Sequence, residues 1–323
     1  MGLNIALIGL GGMGTVHYHN YRHVAGARVA AVVGKTEADI ARAGEWGVPI
    51  YPTLTALCAQ VDIDMVDICT PTFLHKELAL EGFALGKHVL TEKPIALTLA
   101  DATAMYAAAD AAGKQLYVAQ LLQFSRAVET LRETVKKETY GKPLDACFER
   151  LAACPGWTQG GWLFEKDKSG LLPFDLHIHD LDVIVSLFGK PRTVGYTACG
   201  GAQKAYREQY RFQYGYEGFT VCAEAAWFNA AIPFTARWRV YFERGMLICD
   251  AQGLTGYAAD GTVTPFDVED AVKIPTGINL PPTGWFLREL THFVECAKAG
   301  EASQVVPRAQ VLAVVAILEG IEA

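Results

Sequence analysis

The stretch Leu3-Asn4-Ile5-Ala6-Leu7-Ile8-Gly9-Leu10-Gly11-Gly12-Met13-Gly14 decides the fold. Its first half is a short, almost wholly apolar run of the kind a central parallel strand gives, because such a strand is covered on both faces. Its second half is a G-x-G-x-x-G pattern. Gly9 permits a tight turn, Gly11 lets the backbone approach a pyrophosphate, and Gly14 allows close packing of helix on strand. The helix that follows offers unpaired N–H groups and the positive end of its dipole. Alone the pattern is weak. Between a buried strand and a helix it becomes a fairly specific dinucleotide signal and makes Gly9, Gly11, Gly12, Met13 and Gly14 candidate cofactor contacts. The alternative is a strand–helix turn with no ligand.

That context is met along the next hundred residues. Apolar runs at 29–33, 65–69, 88–91 and 115–119 read as strands, and segments 36–46, 75–85 and 98–112 read as helices, with Thr98 as N-cap and Gly113 as C-cap. Strand then helix, repeated, predicts an α/β fold with a parallel, doubly wound sheet.

Composition narrows the partners. The chain has 323 residues, 51% of them hydrophobic, enough for two packed cores, which predicts a soluble globular protein. A net charge of −7, with no run of Lys or Arg, argues against a nucleic-acid or anionic-membrane surface and for small-molecule ligands. No basic leader or uninterrupted apolar run of about 18 residues is present, so a cytoplasmic location with no membrane span is expected. The eight cysteines are scattered without metal-type spacing and read as free thiols.

In such folds an acid about 20 positions beyond the last glycine takes the ribose 2′-hydroxyl of NAD. Here the count lands on Gly34, followed by Lys35 and Thr36. A cation and a hydroxyl in place of the acid suit a 2′-phosphate, which tilts the expectation from NAD toward NADP. The plainer reading is that Thr36 N-caps the next helix, with Asp39 completing an imperfect capping box.

Taken together, the glycine motif, Cys69-Thr70-Pro71 followed by His75, Glu92-Lys93-Pro94, and Asp175 with His179 resemble the glucose-fructose oxidoreductase / inositol dehydrogenase / rhizopine catabolism (Gfo/Idh/MocA) family, nearly end to end. The resemblance implies an N-terminal Rossmann domain over 1–121 and a C-terminal α/β domain with a large, mainly antiparallel sheet over 122–323. Its last helices would pack back on the first domain. It also implies an NAD(P)-dependent enzyme moving a hydride between nicotinamide and a hydroxyl or carbonyl carbon of a sugar, cyclitol or related polyol. Cofactor contacts from Cys69, Thr70, Pro71, His75 and Glu92 are implied, and Lys93, Asp175 and His179 are implied as catalytic.

Elementary chemistry supports these roles. Lys93 follows a buried strand and precedes a proline, so the chain bends at the carboxyl end of the sheet, where open α/β sheets bind ligands. A lysine held there can hydrogen-bond the reacting oxygen. The alternative is a surface lysine paired with Glu92.

Beyond residue 121 the rhythm changes. A connecting helix at 125–139 precedes strand-like segments at 144–153, 193–199, 206–214, 220–230 and 234–243, several alternating polar and apolar residues. One sheet face should pack on helices and the other lie open or meet a second subunit, with a homodimer or homotetramer as the expected assembly. Segments 285–299 and 308–322 read as closing helices.

Residues 169–182, Ser-Gly-Leu-Leu-Pro-Phe-Asp-Leu-His-Ile-His-Asp-Leu-Asp, concentrate acids and imidazoles. A helix beginning near Phe174 puts Asp175 and His179 on one face and turns His177 away. His179 suits a general base and Asp175 an orienting group. A divalent ion is disfavoured because His177 and His179 diverge, and a packed polar knot is the third reading. His177, where the family commonly has Gly, is read as a substrate contact or a partner of Asp180. Gln120 and Gln123 replace the amide or imidazole and the arginine of many relatives and are assigned to a neutral sugar. Trp157 and Trp162 are assigned to stacking on a sugar face or, equally, to lids. A catalytically silent cofactor-binding regulator, or a redox-assisted enzyme that retains its cofactor, are the competing functions.

Overall fold

The computed structural model describes residues 2–156, 158–275 and 281–321. The chain forms two compact units, one of residues 1–124 with 270–315, the other of residues 125–269 with 316–323.

The first unit carries strands β1 (Leu3–Ile8), β2 (Ala27–Val33), β3 (Ile50–Tyr51), β4 (Met65–Ile68), β5 (His88–Glu92) and β6 (Leu116–Ala119). They form one parallel sheet in the order β3-β2-β1-β4-β5-β6. This is the doubly wound order, reversing direction between β1 and β4. The strands are apolar because helices cover both faces: every residue of β4 and of β6 is buried. The connecting helices are α1 (Gly12–Tyr21), α2 (Glu37–Trp46), α3 (Leu54–Cys58), α4 (His75–Ala84) and α5 (Leu99–Ala112).

Their ends follow local chemistry. Thr98 accepts a bond from the Asp101 N–H and Gly113 closes α5 in the left-handed conformation. Thr36 and Asp39 form a complete capping box on α2. A later helix, Trp285–Ala299, returns to pack against α1 and the segment after β6, with Phe293 5.3 Å from Tyr117 and 5.6 Å from Phe124.

The second unit holds an eight-stranded sheet, mainly antiparallel. Its strands are β7 (Pro143–Ala153), β8 (Thr193–Cys199), β9 (Gln209–Gly215), β10 (Thr220–Phe228), β11 (Thr235–Phe242), β12 (Gly245–Asp250), β13 (Gly253–Ala258) and β14 (Val263–Phe266). One pair, β7 with β10, is parallel. Alternation governs its faces. Ala146, Phe148, Phe212, Tyr214, Val221, Trp227 and Val240 are buried on one face. The other face carries cross-strand ion pairs, Arg237 with Glu149 at 2.8 Å and Arg239 with Asp145 at 2.6 Å. Helices α6 (Arg126–Lys136), α7 (Lys166–Ser169) and α8 (Ile178–Phe188) also belong to this unit. The helices of the first unit's return and of the carboxyl end are α9 (Trp285–Ala299) and α10 (Arg308–Glu319), and no helix among the described residues is long and apolar enough to cross a membrane.

Candidate active site

The glycine turn of the first unit is built from backbone contacts. Gly9 has φ +89°, and a Cβ there would lie 2.6 Å from the Cys69 carbonyl oxygen. Gly14 would clash harder, its Cβ 1.9 Å from the Gly9 oxygen. Gly11, the N-cap of α1, has nothing within 4 Å of its Cβ position. Two glycines thus serve the turn itself and the third leaves room above the helix start, where N–H groups of the first turn lack intrahelical partners. Gly12 and Met13 begin the helix.

Because β1, β4 and β5 are neighbours, the turn after β1, Cys69-Thr70-Pro71 after β4 and Glu92-Lys93-Pro94 after β5 emerge side by side at the carboxyl edge. His75 ties two of these ends. Its Nδ1 lies 2.8 Å from the Pro94 carbonyl oxygen and its Nε2 2.9 Å from that of Thr70. Burial lowers its pKa against the pull of those two carbonyls, so at neutral pH it donates to one of them at a time. The Thr70 hydroxyl is shielded from solvent and has no hydrogen-bond partner among the described residues. An orphaned hydroxyl at this edge and open space over Gly11 fit a dinucleotide lying across the switch point.

At the end of β2 the structure adds what a count along the chain missed. Asp39 folds back from α2 so that its Oδ2 accepts the N–H groups of Lys35 at 3.1 Å and Thr36 at 3.0 Å. A Cβ on Gly34 would lie 3.1 Å from that oxygen. Partial burial works against the charge, but the bonds from Thr36 and Lys35 prevail and hold the carboxyl below its ordinary pKa. An acid therefore does stand beside Gly34, supplied by the capping box. Lys35 is exposed, and the Thr36 hydroxyl accepts the Asp39 N–H at 3.1 Å.

Glu92 is buried at the end of β5, and its Oε2 accepts the Lys93 backbone N–H at 2.9 Å. Lys93 is half-buried, and its peptide bond to Pro94 is cis. Sequence reasoning did not find the side chain behind Glu92: His17 of α1, fully buried, has Nε2 3.3 Å from Glu92 Oε1 and Nδ1 2.8 Å from Asp67 Oδ2. The available signal was Asp67 itself, a carboxylate in the apolar strand Met65-Val66-Asp67-Ile68, which burial obliges to find a partner.

In the second unit the acid- and imidazole-rich stretch divides. A π-helical turn, Pro173–His177, runs into α8, with the Ile178 N–H donating to the Pro173 carbonyl. Asp175 and His179 are half-exposed, whereas His177, Asp180 and Asp182 are buried. Asp180 takes a bidentate pair from Arg150, at 3.0 Å from Nε and 2.8 Å from Nη2. His177 is 0% exposed, stacked 3.8 Å over Phe212, with Nε2 2.6 Å from Tyr214 Oη. Its reading as a substrate contact is therefore corrected: the side chain is a packed member of the sheet's buried face. It is not a partner of Asp180 either, which Arg150 satisfies.

Gly170 lies just ahead of this π-helical turn. Its missing Cβ makes room for the Phe174 ring, 2.4 Å from where that carbon would be, and so serves packing. Leu171, next in the chain, holds φ +61°, fixed by the Ser169 hydroxyl, which accepts the Leu171 N–H at 2.8 Å and donates to Leu163 O at 2.6 Å. Gln120 and Gln123 are buried in the first unit, and Trp162 is half-buried in the second. Trp157 lies outside the described residues.

Comparison with known proteins agrees with this architecture. Residues 3–120 match the oxidoreductase family with NAD-binding Rossmann fold, and residues 128–248 match the GFO/IDH/MocA C-terminal domain. The chain is 30% identical to D-apiose dehydrogenase of Paraburkholderia graminis over 186 residues, 57% of this chain and 49% of that protein. With inositol 2-dehydrogenase 2 of Paenarthrobacter aurescens it shares 28% over 274 residues, 81% of this chain and 80% of that one. The aligned region thus spans about half the length of the first of these relatives. The crystal structure of an oxidoreductase from Agrobacterium radiobacter, in complex with NAD+, L-tartaric acid and magnesium, superposes with a TM-score of 0.85 over 99% of this chain and 95% of that one. At 19% identity that likeness speaks for the fold. With both of its domain families matched and both of its sheets in place, the chain belongs to the Gfo/Idh/MocA oxidoreductase family.

Proposed function

We propose that the protein is a nicotinamide-dependent oxidoreductase acting at a hydroxyl or carbonyl carbon of a sugar, cyclitol or related polyol. The observation that carries this reading is the convergence of the glycine turn, Thr70-Pro71 and Glu92-Lys93 at the carboxyl edge of three adjacent strands. A bound nicotinamide dinucleotide supplies a two-electron acceptor or donor for a carbon–oxygen centre. The α1 terminus, opened by Gly11, would hold its phosphates, and Thr70 and Pro71 would flank its ring.

The chain's own residues have the remaining work of moving one proton. Lys93, anchored by its backbone to Glu92, would hydrogen-bond the reacting oxygen and favour its alkoxide-like form. His179 would take the hydroxyl proton in oxidation and return it in reduction, with Asp175 orienting the substrate or the imidazole. Trp162 would give a sugar an apolar face. The exposed face of the eight-stranded sheet, with its rows of charge pairs, is the surface proposed for a homodimer or homotetramer.

For the cofactor, we propose NAD in preference to the NADP that the count along the chain favoured. The N–H groups of Lys35 and Thr36, which would hold a 2′-phosphate, are already taken by Asp39, and its charge repels a second anion.

The test is absorbance at the reduced-nicotinamide band, with NAD and NADP and a panel of sugars, cyclitols and sugar acids. Turnover with NAD at lower concentration than NADP is expected, with losses of at least about a hundredfold in Lys93→Met and His179→Ala. Equal activity in either variant overturns its assignment. Cofactor binding without turnover supports a silent regulator, and substrate conversion without net reduced cofactor supports a redox-assisted enzyme.

A further inference from the structure

The core of the first unit contains a chain of ionisable groups, two of which, Asp67 and His17, cofactor binding and proton transfer leave without a role. It runs Asp67 Oδ2, His17 Nδ1 at 2.8 Å, His17 Nε2, Glu92 Oε1 at 3.3 Å, then Glu92 Oε2 and the Lys93 backbone N–H at 2.9 Å. Asp67 and His17 are 0% exposed. Three elements supply the links, α1, β4 and the end of β5.

The groups facing His17 come from every element packed on it. Tyr21 lies on its own helix, Asp67 and Cys69 on β4 and just beyond, and Glu92 at the end of β5. On α9, Phe286 has its ring 6.2 Å from the imidazole, and Glu289, fully buried, bears on Tyr21. Cys69 Sγ is 3.3 Å from His17 Nδ1, and burial together with Asp67 pushes its thiol far up, so it stays neutral. Burial and Asp67 do the same to Tyr21.

Two buried carboxylates, Asp67 and Glu92, therefore flank a single imidazole. A neutral ring donates at one nitrogen and would leave the other carboxylate facing a lone pair in a low-dielectric core, which is costly. The doubly protonated ring donates to Asp67 from Nδ1 and faces Glu92 across Nε2 as an ion pair at 3.3 Å. Burial opposes that state, but the charge and hydrogen bond of Asp67 outweigh it and raise the pKa well above the ordinary histidine value. Burial likewise acts to raise Glu92, and its bond to His17 and the charges of His17 and Lys93 prevail to keep it ionised.

We propose that His17 is a positioning residue for Lys93: as an imidazolium fixed by Asp67 it holds the Glu92 carboxylate, which through the Lys93 backbone N–H sets where that lysine leaves the sheet. This rests on Lys93 hydrogen-bonding the reacting oxygen, the reading proposed above. A purely structural histidine would hold α1 against β4 through Asp67 alone. The contact with Glu92, whose other oxygen is fixed on Lys93, extends the chain to the reacting group.

The experiment has two independent arms. In the first, side-chain nitrogen NMR of the cofactor-free protein, with His17→Gln to assign the signal, should find the His17 ring doubly protonated at pH 8, and the Lys93 backbone amide should shift in the variant. A singly protonated ring, or an unmoved Lys93 amide, overturns the proposal. The second arm is kinetic. His17→Gln should lower kcat about tenfold to a hundredfold while the cofactor KM stays within about threefold, since a displaced catalytic group costs on that order. The double variant His17→Gln, Glu92→Gln should be no slower than the slower single one, because the two lie on one path. Unchanged kcat in His17→Gln overturns it, as do independent, additive losses. If Lys93→Met keeps full turnover, the reading of Lys93 fails, and the cofactor-free arm still decides whether His17 sets that residue's backbone.

Discussion

Replacing Gly14 and Gly11 separately by alanine distinguishes the glycine that the fold needs from the one the ligand needs. At Gly14 the new methyl would lie 1.9 Å from the Gly9 carbonyl oxygen, more than 1 Å inside ordinary contact. Gly9 cannot retreat freely, since its own Cβ position is 2.6 Å from the Cys69 oxygen. Overpacking of this kind costs about 3 kcal/mol, and the better helix propensity of alanine returns about 1, leaving a loss of about 2 kcal/mol. For a unit of this size that lowers Tm by about 4–8 °C. At Gly11 the methyl meets nothing within 4 Å, and the poorer N-cap is offset by lower unfolded-state entropy, so stability should change by less than about 1 kcal/mol. Dinucleotide affinity should nevertheless fall at least about tenfold, because the methyl takes the space through which the backbone approaches the phosphates. Calorimetric melting and titration with NAD, followed by tryptophan fluorescence, measure both quantities. Wild-type affinity in Gly11→Ala, or wild-type melting in Gly14→Ala, would refute the division of roles.

Two further outcomes concern the second unit. Burial, and then Arg150, push the His177 pKa down to about 3, so between about pH 6.5 and 3 the unfolded chain binds a proton that the folded one does not. The stability is present above about pH 6.5 and lost below it at up to about 1.4 kcal/mol per pH unit, so between pH 6.5 and 5 urea unfolding should show about 2 kcal/mol more loss in wild type than in His177→Phe, and equal losses would exclude it. Asp180→Asn leaves the Arg150 guanidinium, 10% exposed, without its ionic partner and should cost about 3–5 kcal/mol in denaturant unfolding, whereas Arg150→Met with Asp180→Leu should cost much less; a cost under about 1 kcal/mol for the single variant would mean that the pair is solvated.

What the sequence made legible depended on whether a requirement falls on consecutive residues. The β1 run and its glycines form one continuous statement, a strand buried on both faces followed by backbone that tolerates no Cβ at Gly9 or Gly14, and the caps Thr36, Thr98 and Gly113 are equally local. The strands β12, β13 and β14 were not found, since Gly245, Gly253 and Gly256 break the β-branched pattern; Gly256 is there because a Cβ would lie 2.5 Å from the Tyr140 hydroxyl, contributed from more than a hundred residues away. The two-residue β3 and the short α3 are too brief to show a period. Asp39 was legible only as a cap: counting to the end of β2 looks for an acid on the strand, and the capping box returns one from the helix.

The site follows the same division. Lys93, Asp175 and His179, the groups proposed for catalysis, are read from short motifs, because each sits beside local backbone features that mark it. His17, Asp67 and Glu92 lie on three elements and join only when β4 and β5 pair and α1 covers them. Each leaves a local trace, a polar side chain where the pattern calls for an apolar one. His177 left the same trace, and it proved to be packing, held by Phe212 and Tyr214 with no second acid to charge it. A buried histidine is thus ambiguous in sequence between a neutral core residue and a charged link. Its surroundings decide: burial and the Arg150 charge keep His177 neutral, whereas at His17 the Asp67 carboxylate outweighs burial and favours the protonated ring.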